Sequence, residues 1–153
     1  MYLWMVLIFV ADRVTKALAV QGLSLGESLP VIEDVLHLTY VQNTGAAFGI
    51  LRGRFLFFVV ANAVLFAGIL WWHYFSRDAH LLSRPAAGMI LGGALGNLVD
   101  RMAWGYVVDF IDFRVWPVFN VADIGLVVGS ILLAVHLWRV SAKEEQDRRM
   151  AAN

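Results

Sequence analysis

Residues 55–72 read FLFFVVANAVLFAGILWW, with Asn62 as the only strongly polar side chain. A helix needs about 20 mostly apolar residues to cross the hydrocarbon core of a bilayer. A soluble surface helix, by contrast, keeps a charged face. This run therefore sets the fold class, and similar runs lie on either side of it. Pro85–Val99 is apolar and reaches spanning length once Asp100, Arg101, Met102, Ala103 and Trp104 are added. Val121–Trp138 is a third run, interrupted by Asp123, Ser130 and His136. Met1–Ala11 begins a fourth, followed by Asp12, Arg13 and Lys16. The expectation is an all-α membrane protein forming one domain, residues 1–153. It has four transmembrane helices over about 2–20, 55–74, 85–104 and 121–140, and a polar tail from 141 to 153 that is a solvated helix end or disordered.

Composition agrees with this reading. Hydrophobic residues make up 60% of the chain and charged residues 16%. A soluble domain carries about 25% charged residues. Net charge is zero and there is no cysteine. Neither a nucleic-acid partner nor Cys-based catalysis or metal binding is indicated. Ala17-Leu18-Ala19 resembles a signal-peptide cleavage site, but no positive charge precedes the apolar run, so the first helix is expected to be retained. Within it Asp12 and Lys16 stand one turn apart, acid first, in the favourable order for an ion pair. Gly88, Gly92 and Gly96, and likewise Gly125 and Gly129, repeat every four residues and predict close helix packing.

Four spans place both termini on one side. The loops on that side hold Arg77, Arg84, Arg139, Lys143, Arg148 and Arg149, against Arg52, Arg54 and Arg114 on the other. That excess predicts cytoplasmic termini. The long segment Gln21–Gly53 lies outside, and its stretch Leu36–Val41 alternates as a strand does. A small extracytoplasmic β-like cradle between helices 1 and 2 follows.

The polar residues near the spans gather at the outer face: Asp12 and Lys16, Asn43, then Asn97, Asp100 and Arg101, then Asp109 and Asp112, then Asn120 and Asp123. Asn97, Asp100 and Arg101 fall on one helix face, with Asp100 and Arg101 readable as an interfacial charge pair. Asn120 is placed to cap the fourth helix. Asp109 and Asp112 read as a loop, although Phe110, Ile111 and Phe113 argue against free solvation. Asp123 lies in an apolar run, where an ionisable residue points to function. Two carboxylates held close share a proton. The ionised one can then activate water while the protonated one polarises a carbonyl. That chemistry is peptide hydrolysis without a metal, and these residues alone do not choose the pair from Asp100, Asp109, Asp112 and Asp123. His37, His73, His80 and His136 show no metal-binding spacing, and His73, His80 and His136 read as ordinary interfacial residues. No GxSxG element occurs. A Ser–Lys pair built on Lys16 lacks an oxyanion partner, and a proton-relay transporter would place its acids nearer the midplane.

Five blocks, in order, carry a resemblance: Asp12-Arg13-Val14-Thr15-Lys16; Asn43-Thr44-Gly45-Ala46-Ala47-Phe48; Gly92–Arg101; Val107-Val108-Asp109-Phe110-Ile111; and Phe119-Asn120-Val121-Ala122-Asp123. The chain resembles bacterial lipoprotein signal peptidases (signal peptidase II). Arg13 stands where that family usually has Gln, and Ile124 where a small or polar residue is common. The resemblance implies an aspartic endopeptidase of the bacterial cytoplasmic (inner) membrane that works near the outer, periplasmic face. It would cleave prolipoproteins on the amino side of a diacylglyceryl-modified cysteine, without cofactor or metal. It also implies Asp109 and Asp123 as the catalytic residues, with Asn43, Gly45, Asn97, Arg101, Asn120, Asp12, Lys16 and Asp100 in substrate-binding or supporting roles. The implied partners are lipidated prolipoproteins and membrane lipids, with cyclic peptide antibiotics such as globomycin as inhibitors. The Asn43 loop would lie over the bound peptide, with Gly45 and Gly49 allowing tight turns.

Overall fold

The computed structural model describes residues 1–45, 54–75 and 82–151. In chain order its elements are α1 (Tyr2–Gly22), β1 (Ser28–Ile32), β2 (Leu36–Asn43), α2 (Phe55–Phe75), α3 (Ser83–Trp104), β3 (Val107–Asp112) and α4 (Val121–Ala151). Three helices start or end close to the sequence expectation. α3 begins two residues before Pro85, which fits a helix's first turn because its missing N–H is unpaired there anyway. α4 instead runs on through the polar tail to Ala151. Ala, Lys, Glu, Gln and Arg are strong helix formers, and Arg149 pairs with Glu145 one turn away.

α3 is the central helix and packs against α1, α2 and α4. The spaced glycines make this possible. A Cβ at Gly92 would meet the Met5 carbonyl oxygen at 2.5 Å, and one at Gly96 would meet Asp12 Oδ2 at 2.6 Å. On α4, a Cβ at Gly129 would meet the Ala86 carbonyl oxygen at 2.8 Å. Backbone cannot yield as a flexible side chain can. Gly92→Val is therefore expected to lower stability by about 1–3 kcal/mol through overpacking. Gly68, with nothing within 4 Å of its would-be Cβ among the described residues, is expected to tolerate the same change. Thermal unfolding of both variants in detergent checks this, and equal losses would contradict it.

The cradle is broader than expected. β1, β2 and β3 form one antiparallel sheet in that order, so the segment between α3 and α4 completes a sheet begun between α1 and α2. The residues read as a loop, Asp109 and Asp112, thus belong to a strand. Gly105, at φ +78°, ends α3 and turns the chain into β3. After β3 the chain doubles back. The Phe119 carbonyl accepts the Phe110 and Ile111 N–H groups at 3.0 and 2.8 Å, and the Phe113 and Phe119 rings stack. This return sets Asn120 at the start of α4.

Burial is inverted relative to a soluble domain. Asp12, Lys16, Ser83, Asn97, Asp100, Asp109, Asp112, Asn120 and His136 are buried, so His136 is not the interfacial residue expected. Apolar side chains such as Leu3, Leu7, Val10, Leu56, Val64, Trp71, Val127 and Ile131 face outward. By length and composition, α2 and α4 are apolar enough to cross a membrane. α1 and α3 carry Asp12, Arg13, Lys16, Arg84, Asp100 and Arg101, which lower their mean hydropathy.

Candidate active site

A cavity of about 450 Å³ opens where β2, β3, the N-terminal parts of α2 and α4 and the C-terminal part of α3 meet. Asn43, Gly45, Asn97, Arg101, Asp109 and Asp123 line it. β3 supplies Asp109. Side chains alternate along a strand, so Asp109 and Val107 face the cavity, whereas Asp112, three residues on, faces the other way. There Asp112 accepts hydrogen bonds from the Thr39 hydroxyl at 2.8 Å and the Arg114 N–H at 2.7 Å. Its burial works against ionisation, but these bonds and the Arg114 charge hold its carboxyl below the usual range.

α4 supplies Asp123 through its N-terminal cap. Asn120 Oδ1 accepts the Asp123 N–H at 3.0 Å, and the Asp123 carboxylate accepts the Asn120 N–H at 3.2 Å. This reciprocal pair is a capping box with Asp in the third helical position. Because Asn120 Oδ1 is an acceptor, its Nδ2 is free to donate, and it does so to Asp109 Oδ1 at 2.6 Å. One buried amide therefore bonds both aspartates. Asn43 Nδ2 donates to Asp109 Oδ2 at 2.9 Å, and Asn97 Nδ2 to Asp123 Oδ1 at 2.8 Å. Each carboxylate oxygen of the two aspartates thus has a neutral donor, and among the described residues neither aspartate has an ion-pair partner.

This environment acts on Asp109. Burial first, and then the Asp123 charge, push its carboxyl up to about 7, outweighing the bonds from Asn43 and Asn120. Asp109 is 2% exposed, so solvent does little to screen either effect. Below about pH 7 one site thus offers a protonated acid beside a second carboxyl.

The remaining expected residues separate into two groups. Arg101 reaches the Gly45 carbonyl at 3.0 Å and lies over the Phe58 ring, 4.1 Å from its centre. It does not pair with Asp100 as expected, since consecutive helix residues diverge. Gly45 is held by Asn43, whose Oδ1 accepts its N–H at 2.9 Å. Asp12, Lys16 and Asp100 sit behind the cavity in one ionic cluster, in which Lys16 lies 3.0 Å from Asp12 as the helix spacing predicted. Sequence reasoning missed Arg13 as a member of that cluster. It also missed the wall formed by Phe58, Leu65, Trp116 and Phe119, for which no local pattern exists. Ala46, Ala47, Phe48, Gly49 and His80 lie outside the described residues.

Comparison with known proteins identifies the family. Residues 4–139 match the family model for signal peptidase (SPase) II. The chain is similar to the lipoprotein signal peptidase of Halothermothrix orenii, 46% identical over 138 residues, covering 90% of this chain and 94% of that one. It is similar to the lipoprotein signal peptidase of Pelotomaculum thermopropionicum, 40% identical over 151 residues and covering 97% and 99%. Among solved structures it resembles a bacterial membrane enzyme determined by the in meso method at 2.3 Å resolution, with a TM-score of 0.87 and 33% identity over 92% of this chain and 88% of that one.

Proposed function

The chain belongs to the signal peptidase II family, an aspartic-type protease family, and from that premise we propose that Asp109 and Asp123 are its catalytic pair. The substrate is a prolipoprotein whose cysteine carries a diacylglyceryl group, and cleavage falls on the amino side of that cysteine. The observation that carries this reading is Asn120, one buried residue that donates to both carboxyl groups beside one cavity, to Asp109 from its side-chain amide and to Asp123 from its backbone N–H.

The chemistry follows from the two environments. Asp123 lies in the first turn of α4, where the helix dipole favours negative charge, and serves as the base. It takes a proton from water as the water oxygen bonds to the scissile carbonyl carbon. Asp109, protonated, gives its proton to the carbonyl oxygen. When the C–N bond breaks, the proton held by Asp123 passes to the leaving nitrogen, and Asp109 regains its own from the collapsing hydroxyl. The pair is then as it began. Arg101 and the Gly45 backbone border the peptide, and Phe58, Leu65, Leu126 and Val127 offer an apolar wall for the acyl chains. A cyclic peptide such as globomycin would compete for the same cavity.

In this reading one domain, residues 1–153, crosses the bacterial cytoplasmic membrane four times with both termini in the cytoplasm and the cavity toward the outer face. α1 and α3 can cross despite their charges because Asp12, Lys16 and Asp100 are paired and turned inward, and a paired charge costs far less in lipid.

The pH dependence tests the division of labour. Activity needs Asp109 protonated, so kcat/KM is expected to fall about tenfold per pH unit above about 7. A profile flat from about pH 6 to 9 would overturn the assignment. Stability moves the same way. A carboxyl raised from 3.8 to about 7 favours the fold fully below about pH 4, and that contribution is lost as pH rises through 7. Asp109→Asn turns its NH₂ toward Asn43 or Asn120 Nδ2 and should lose stability in acid, but the loss should shrink or reverse as pH rises from about 5 to about 8.

A further inference from the structure

Behind the cavity, two cations bridge the same two carboxylates. Arg13 Nη2 donates to Asp12 Oδ2 at 2.7 Å, and its Nη1 to Asp100 Oδ1 at 2.6 Å. Lys16 Nζ lies 3.0 Å from Asp12 Oδ2 and 2.8 Å from Asp100 Oδ2. The group is neutral, and Asp12 and Asp100 are 0% and 2% exposed. Each carboxylate also holds a backbone N–H. Asp12 Oδ1 accepts that of Ala122 at 3.1 Å, and Asp100 Oδ2 that of Val108 at 3.2 Å. Ala122 directly precedes Asp123, and Val108 directly precedes Asp109. Lys16 makes a third contact, to Asn97 Oδ1 at 2.9 Å, and Asn97 in turn holds Asp123.

We propose that Arg13 is a positioning residue for the Asp109–Asp123 pair: its fork supplies the second cation that balances both anchoring carboxylates, and each of them pins the backbone one residue ahead of a catalytic aspartate. The proposal rests on the assignment of that pair. Arg13 touches neither aspartate. It joins α1 to α3 and also donates to the Gly96 carbonyl at 3.1 Å. Among the described residues its Nε is buried without a hydrogen-bond partner, a penalty that the two-carboxylate fork outweighs.

Without Arg13, Lys16 alone faces two buried carboxylates. An uncompensated negative charge then stays beside the pair. That charge would make both aspartates hold protons more tightly. Among the described residues, the other charged group facing the pair is Arg101 from α3. β2 presents only neutral Asn43, and α2 presents Phe58 and Asn62. Asp112 and Arg114 pair with each other.

The test is kcat and KM against pH for the purified full chain in detergent, with a diacylglyceryl-modified peptide. Arg13→Gln is expected to lower kcat, leave KM nearly unchanged and move both limbs of the profile to higher pH by about one unit. Arg13→Lys keeps the charge and should leave the limbs in place. Arg13→Gln combined with Asp100→Asn restores neutrality and should return them. Limbs unmoved in Arg13→Gln while its thermal stability drops would overturn the proposal, as would limbs that the double variant fails to return. If Arg13→Gln does not fold, displaced limbs in Arg13→Lys overturn it and unmoved limbs support it. The pair assignment stands or falls separately, because it is lost only if Asp109→Asn or Asp123→Asn still cleaves the peptide.

Discussion

Asp123→Asn and Asp109→Asn should each lower kcat/KM for a diacylglyceryl-modified prolipoprotein by about 10³-fold or more, at the upper end of what one acid–base group contributes. The size follows from how the labour is divided. An amide at position 123 cannot accept the water proton, and one at 109 cannot give a proton to the carbonyl oxygen. Both changes are nearly isosteric, so the cavity keeps its shape. At 123 the new amide must turn its NH₂ toward either Asn97 Nδ2 or the Asn120 N–H, both of which now donate to the carboxylate. A modest stability loss is expected there, about 1–3 kcal/mol for an unsatisfied buried donor. Thermal unfolding measured beside activity separates the two effects. A variant at either position that folds and still cleaves at near wild-type rate would remove the catalytic assignment.

Lys16→Met should be among the most destabilising single changes in the chain. Lys16 contacts Asp12, Asp100 and Asn97, and its side chain is 4% exposed. Breaking a buried ion pair by removing one partner costs about 3–5 kcal/mol, because the other charge is left buried and uncompensated. Here two carboxylates would depend on Arg13 alone. Asp12→Asn added to Lys16→Met restores charge balance and should recover part of the loss. Denaturant unfolding of the single and double variants measures both. A loss below about 1 kcal/mol, the range of exposed ion pairs, would show that the cluster is solvated and not structural.

Much of this organisation was legible in the sequence, for physical reasons that also explain what was not. Helix positions show because lipid demands long apolar runs, and Phe55–Phe75 announces itself. β2 shows through alternation. β1 does not, because all five of its residues are exposed and no face is distinguished. β3 is buried along nearly its whole length, so Val107–Asp112 alternates no better than a loop, and Asp109 was left level with Asp112. The strand settles their difference by parity alone, since three residues of separation put them on opposite faces. The Asn120 cap and the Asp12–Lys16 pair were readable because both are local. Contacts made across the fold, such as Arg13 to Asp100, 87 residues apart, leave no local trace, and the sequence suggested Arg101 as partner instead. The apolar wall from α2 was invisible for the same reason.

The central claim is that Asp109 and Asp123 hold one proton between them at the pH where the enzyme works. Carbon-13 spectra of the detergent-solubilised chain with carboxyl-labelled aspartate, assigned with Asp109→Asn and Asp123→Asn, test it most directly. At pH about 6 the account predicts one protonated and one ionised carboxyl in the pair, the protonated one being Asp109 with a midpoint near 7. Two ionised carboxylates at that pH in the active protein would contradict it.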